Sequence, residues 1–254
     1  MLNINRSNLY YKPIINNDDE IANMIQEIYL SSDCRYGYRK IGLELSYKDI
    51  VINLKKVFRL MKDMGIKGLY PRRRPNTSNG DSEHRIYPYL LHGLSITKVN
   101  QVWATDITYI SIGGKFVYFM AIIDLFSRYI VDKKLSLTLD SSFCIDILNK
   151  ALNEKGSPEI FNTDQGSQFT SAGFTDVLKG AGISISMDHK GRCFDNIFIE
   201  RFWRTLKQEA IYFYRPNSIE ELDTVLEDFI GWYNYQRRHQ SLQYKIPAEV
   251  YYGS

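Results

Sequence analysis

An aspartate stands in the middle of the most strand-like run of this chain, Val102-Trp103-Ala104-Thr105-Asp106-Ile107-Thr108-Tyr109-Ile110. A carboxylate embedded in an apolar strand is costly unless it is paired or binds a metal, so any fold of this chain has to supply Asp106 with a partner. Two further acids occupy comparable settings. Asp164 ends the strand-like Glu159-Ile160-Phe161-Asn162-Thr163 and opens the turn Gln165-Gly166-Ser167. Glu200 lies in a helical run that begins after Asp195-Asn196, with 35 residues between it and Asp164. If the three converge they repel one another, and a divalent cation is the natural relief.

The apolar pattern divides the chain. Residues 18–31 read as a helix with Ile21, Met24, Ile25 and Ile28 on one face, and Tyr38 to about Tyr47 as a second. In the third, Asn53 can cap, Leu54, Val57, Phe58 and Met61 form the apolar stripe, and Gly65 stops the helix. Its other face carries Lys55, Lys56, Arg59 and Lys62. Residues 1–70 therefore read as a small helical, helix-turn-helix-like domain, with a solvated lysine face as the alternative. Residues 71–97 read as a basic and polar linker, because Pro71 and Pro75 bracket Arg72-Arg73-Arg74, a triplet suited to tracking phosphates.

From residue 98 to 254 the pattern is α/β with C-terminal helices. Val102–Ile110 and Phe116–Asp124 form a hairpin through Gly113-Gly114, and Tyr129–Leu137 is a third strand. Then follow a helix over Ser141–Glu154, the strand before Asp164, a helix near Ser171–Leu178, a strand at Ile183–Met187, the Glu200 helix to about Tyr214, and a helix over Ile219–Gln236. Three antiparallel strands followed by alternating helix and strand predict a mixed sheet with helices on both faces.

Composition excludes several classes. No run approaches the ~20 apolar residues that span a bilayer, and the N-terminus lacks a signal-peptide layout. Cys34, Cys144 and Cys193 are odd in number and widely spaced, so no disulfide framework or zinc site is indicated, and a reducing cytosol fits. The net charge of +3 hides an asymmetry: residues 1–80 carry 14 Lys/Arg against 8 Asp/Glu, and the remainder is net acidic. A basic arm on an acidic body suits phosphate binding beside a metal site, and equally a protein with an uneven surface.

Five segments in order carry a resemblance. They are Y-G-Y-R-K-I with N-L-K-K-V-F-R-L-M-K-D-M-G-I, W-A-T-D-I-T-Y-I, N-T-D-Q-G-S-Q-F, K-G-R-C-F-D-N-I-F-I-E-R-F-W-R-T-L-K and Y-N-Y-Q-R-R-H-Q-S-L. Together they resemble the DDE transposases and retroviral integrases, and more narrowly the OrfB product of IS3-family insertion sequences, over residues 35 to 251. The resemblance implies an RNase H-like five-stranded mixed sheet with flanking helices. It implies Asp106, Asp164 and Glu200 as catalytic residues and ligands of two Mg2+ ions, with Mn2+ as a substitute. It also implies element-end and target double-stranded DNA as partners, a homo-oligomer, an OrfA protein or OrfA–OrfB fusion, and a bacterial cytoplasmic, nucleoid-associated location. The zinc module of retroviral integrases is missing, which favours the bacterial branch.

Around the acids, Asn196, Glu200, Arg204 and Lys207 recur along one helical face, with Lys207 at the position where the family places a basic contact to the donor end. Tyr233-Asn234-Tyr235-Gln236-Arg237-Arg238-His239 suits base stacking and phosphate contact, or a helix end packed on the core. Singly, each acid has an ordinary structural explanation. Two other functions stay open: an RNase H-like nuclease that hydrolyses without joining ends, and a non-catalytic DNA-binding derivative of a transposase.

Overall fold

The computed structural model describes residues 18–69, 87–188 and 197–253. The chain divides into two compact units with their boundary at Arg72–Arg73. Among the described residues no helix is long and apolar enough to cross a membrane.

The first unit holds α1 (Asp18–Ser31), α2 (Tyr38–Tyr47) and α3 (Leu54–Asp63). Asp18, Asp19 and Glu20 occupy the first turn of α1, where negative charge offsets the helix dipole. The Asn53 side chain caps α3 by accepting the Lys55 N–H at 2.8 Å. One detail differs from the sequence expectation. Val57 and Met61 are buried as expected, but Leu60 takes the third core position, while Leu54 and Phe58 remain exposed. Phe58 instead packs edge-on against Tyr38, with ring centroids 5.4 Å apart. The face of α3 that meets the core is therefore rotated towards Leu60.

The second unit is built on one sheet of five strands: β1 (Val102–Ile112), β2 (Lys115–Asp124), β3 (Ile130–Ser136), β4 (Ile160–Thr163) and β5 (Ser184–Met187). Their spatial order is β3-β2-β1-β4-β5, with the first three antiparallel and β1-β4-β5 parallel. Gly113 and Gly114 both have positive φ, +55° and +78°, the conformation of a tight two-residue hairpin. The parallel pairs require crossovers, supplied by α4 (Ser141–Lys155) and by α5 (Ser167–Thr170) with α6 (Ala172–Gly180). The carboxyl-terminal part holds α7 (Ile197–Leu206), a π-helical turn (Lys207–Ile211), α8 (Tyr212–Tyr214), α9 (Ile219–Tyr235), a 3-10 turn (Gln240–Leu242) and α10 (Pro247–Tyr252).

Strand alternation sorts the core into two layers. Trp103, Met120, Ile122 and Phe161 pack on the side of α4 and α6. Val102, Ala104, Ile110 and Phe119 pack on the other, against α7 and α9 through Ile199, Phe202, Leu206, Leu226 and Phe229. Asp106 shares the even-numbered face of β1, and so looks towards α7. The described end of the expected linker lies along the sheet: the Leu90 N–H donates to Ser186 Oγ at 3.0 Å, and Gln101 Oε1 accepts the Thr97 N–H at 2.7 Å.

Candidate active site

Asp106 pairs across the sheet with Ala121 on β2. On its other side β4 runs parallel, with Ala104 opposite Asn162. Asp106 lies two residues further along β1. Asp164 follows the last residue of β4, close enough for its charge to act on Asp106. Asp164 Oδ1 accepts the Gly166 N–H at 2.9 Å, which closes a tight turn before α5. A Cβ at residue 166 would sit 2.9 Å from that same oxygen, so glycine is what the turn admits. Glu200 reaches the site from α7.

Asp106 is partly buried, whereas Asp164 and Glu200 open to solvent. Burial, followed by the charge of Asp164 and then that of Glu200, pushes the Asp106 carboxyl up to about 7, against hydrogen bonds from Trp203 and Ile107 that hold it down. Burial also raises Asp164, opposed by the Gly166 N–H, and raises Glu200. The three acids thus share one electrostatic neighbourhood. Among the described residues, however, no three His, Cys, Asp or Glu side chains are grouped as a ready metal site.

Both oxygens of Asp106 are held. Oδ1 accepts the Ile107 N–H at 2.8 Å, and Oδ2 accepts the indole N–H of Trp203 at 2.8 Å. Trp203 is buried, packed edge-on against Phe119 at 5.7 Å and tilted against Phe202 at 5.0 Å. Its place beside Asp106 is absent from the sequence reading. The signal was there: Trp203 is three residues from Glu200 on one helical face, and a buried indole N–H needs an acceptor.

The flanking residues have structural work. Trp103 donates to Asn100 Oδ1 at 2.9 Å, and Thr105 Oγ1 to Ala121 O at 2.8 Å. The Gln165 amide ties the loop to Asp188 O at 2.7 Å, and Gln168 donates to Leu139 O at 3.2 Å. Lys207 opens the π turn with its ammonium 5.5 Å from the Tyr109 ring centre, three residues along β1 from Asp106. Arg204 lies in the last turn of α7. Asn196, Arg72, Arg73 and Arg74 lie outside the described residues.

The structure does not bring the basic face of α3 free of partners. Lys56 and Arg59 both reach Asp18, each at 2.7 Å, and Arg59 also approaches Asp63 at 3.5 Å, while Lys55 is exposed. Nor is the Tyr233–His239 stretch an open stacking surface. Tyr233 is buried, Asn234 bonds both the N–H and the carbonyl of Ile130, and Arg237 grips Glu209 with two bonds of 2.9 and 2.8 Å. This segment packs the end of α9 on the core.

Residues 96–193 and 181–247 each match an integrase core domain, and residues 16–74 match an HTH-like domain. The chain is 31% identical over 252 residues to the InsK protein of insertion sequence element IS150 from Escherichia coli K12, spanning 97% of this chain and 89% of that protein. It is 31% identical to the transposase for IS904 of Lactococcus lactis IL1403, over 90% of this chain and 92% of the relative. Among solved structures, the HTLV-2 integrase catalytic core domain in complex with magnesium superposes with a TM-score of 0.51 at 18% identity, covering 61% of this chain and 97% of that one. The simian T-cell lymphotropic virus intasome in complex with PP2A regulatory subunit B56 gamma gives 0.55 at 18%, covering 89% and 74%. These likenesses establish the RNase H-like fold. With its integrase core, its HTH-like segment and relatives matched along almost their whole length, the chain belongs to the integrase-core transposases of bacterial insertion sequences, as its IS3-type OrfB motifs led one to expect.

Proposed function

We propose that this chain cuts DNA at the ends of a mobile element and joins the freed 3′-hydroxyl to target DNA, with Asp106, Asp164 and Glu200 as its catalytic acids. One observation carries the reading: a central-strand aspartate lifted to about 7 by burial and by the charges of two more acids. A carboxylate raised by burial and by the charges of two further acids favours a cation. The donor set is oxygen only, which fits Mg2+, with Mn2+ as a substitute. Mg2+ keeps several waters and completes its shell with substrate phosphates, so a closed three-acid cage is not a requirement of the chemistry.

When bound, a pair of Mg2+ ions supplies charge stabilisation at the attacking and leaving oxygens. The chain's own residues do the remainder. Asp106, Asp164 and Glu200 would hold the ions, and Trp203 fixes one Asp106 oxygen. Lys207, with Arg204 and Asn196, offers cationic and polar contacts to the donor-end backbone. Water and then the DNA 3′-hydroxyl are the nucleophiles, as the resemblance to the DDE transposases implies.

Residues 1–70 act as the DNA-binding arm through Lys55, Lys56 and Arg59. Residues 71–97, with Arg72, Arg73 and Arg74, join the arm to the catalytic body at 98–254. Two DNA ends have to meet, so the working form is a homo-oligomer, acting in the cytoplasm at the nucleoid with an OrfA protein or as an OrfA–OrfB fusion. The test is cleavage and joining of labelled oligonucleotides bearing the element's own ends, with Mg2+, with and without OrfA. Cleavage without joined product reduces the reading to a nuclease. Salt-sensitive binding with no cleavage under any of these conditions reduces it to a DNA-binding derivative.

A further inference from the structure

The turn between β2 and β3 presents an arginine in a backbone conformation that side chains rarely adopt. Arg128 has φ of +65°, held by its own N–H donating to Asp124 O at 2.9 Å. The Asp124 carboxylate locks the turn by accepting the Ser127 N–H at 2.7 Å, the Ser127 hydroxyl at 2.6 Å and the Asn100 N–H at 2.8 Å. The guanidinium lies over the Phe198 ring, 3.6 Å from its centre. It lines a groove of about 600 Å³ together with Leu94, Phe126, Gln243 and Lys245.

Three features of this groove ask for an anion. Nη1 of Arg128 is buried and has no hydrogen-bond partner among the described residues, and such a donor is costly unless an acceptor arrives. The described lining contains Arg128 and Lys245 but no acid. Asp124, the acid acting on Arg128, is already bonded to three donors, while Arg201 adds a further positive charge. Burial pulls the guanidinium down to about 10, which leaves it charged at neutral pH.

Phe198 and Glu200 are two residues apart on α7, hence about 200° apart around its axis. The groove is therefore on the opposite side of that helix from the acids. We propose that it is a second seat for the DNA backbone, taking one phosphate on Arg128 with Lys245 at its rim. The inference rests on the DNA-acting reading above and adds to it a contact surface away from the acids.

The test is binding of a labelled random-sequence duplex by the full chain, without Mg2+, across a series of salt concentrations. Arg128→Gln and Lys245→Gln should each lower the slope of log affinity against log salt by ~0.9, the value of one lost phosphate contact. Circular dichroism and melting establish that each variant is folded. Lys245 is exposed, so its substitution leaves the Phe198 packing intact and decides the matter if Arg128→Gln does not fold. Wild-type binding with unchanged slopes in folded variants overturns the groove, as does a change confined to oligomeric state, which would give the groove to an acidic segment of a second copy. Failure of the wild-type chain to bind duplex at all removes the parent DNA reading, and the groove with it.

Discussion

The indole nitrogen of Trp203 and Oδ2 of Asp106 meet at 2.8 Å although they are 97 positions apart in sequence. The bond couples the helix bearing Glu200 to the strand bearing Asp106, so helix placement and carboxylate orientation are a single event. Trp203→Phe keeps the ring packing and removes only the N–H. A hydrogen bond to a charged group contributes roughly 1.5–3 kcal/mol, which corresponds to a cleavage rate lowered about tenfold to a hundredfold. The Mg2+ concentration for half-maximal cleavage should rise as well, and an unchanged Mg2+ titration would show that the bond only packs the helix.

Asp106 ties activity to pH-dependent stability. Its folded-state pKa is raised to about 7, so between roughly pH 4, the unfolded value, and pH 7 the native state binds the extra proton and stability falls as pH rises. Asp106→Asn removes the ionisation but sets an amide NH2 against one of the two N–H groups that the carboxylate accepts, so its stability relative to wild type should be better at pH 8 than at pH 4 by on the order of 2 kcal/mol, after allowing for the contact of residue 106 with water. The same substitution abolishes Mg2+-dependent cleavage. Thermal melts in chelator at the two pH values check the first part, and an equal effect of the substitution at both contradicts it.

Gly166 is a steric test of the Asp164 loop. Its φ of −61° suits any residue, so Gly166→Ala acts through the approach of the new methyl to Asp164 Oδ1 at 2.9 Å and to Gln168 Oε1 at 3.3 Å. We expect cleavage to fall at least tenfold, with stability lowered by no more than about 1–2 kcal/mol. Activity at the wild-type level would mean that the carboxylate is free to move aside.

Asp18 binds Lys56 and Arg59 together. Asp18→Asn releases both cations, and if α3 meets DNA, affinity for duplex at low salt should increase together with a steeper salt dependence. Equal binding curves for the two proteins would take Lys56 and Arg59 off the DNA-contact surface.

Most of the architecture was legible because its signals were local. Alternation gave β1 and β2, the paired glycines gave the hairpin, and the apolar stripes gave α1, α4 and α9 to within a few residues. Phe58 was misplaced because periodicity fixes the presence of an apolar face but not which edge of it turns to the core. The acids could be nominated from their contexts, yet the approach of Asp164 to Asp106 depends on the pairing of β1 with β4, which no local pattern encodes. The tie of Arg237 to Glu209 escaped for a similar reason. Mixed aromatic and basic residues look alike whether they await nucleic acid or close a helix end, and only a partner 28 positions away distinguishes the two.

The π-helical turn at Lys207–Ile211 fits one more residue into a turn than the helices flanking it. Trp203 is fixed ahead of it by the sheet, and Glu209 within it is clasped by Arg237. The surplus is therefore trapped between two anchored ends, like a spare link in a tensioned chain. Deletion of a single residue there is the change in length that the polypeptide can absorb most cheaply, by relaxing to ordinary α-helix. An insertion in the same stretch has no comparable outlet and must push out one of the two anchors.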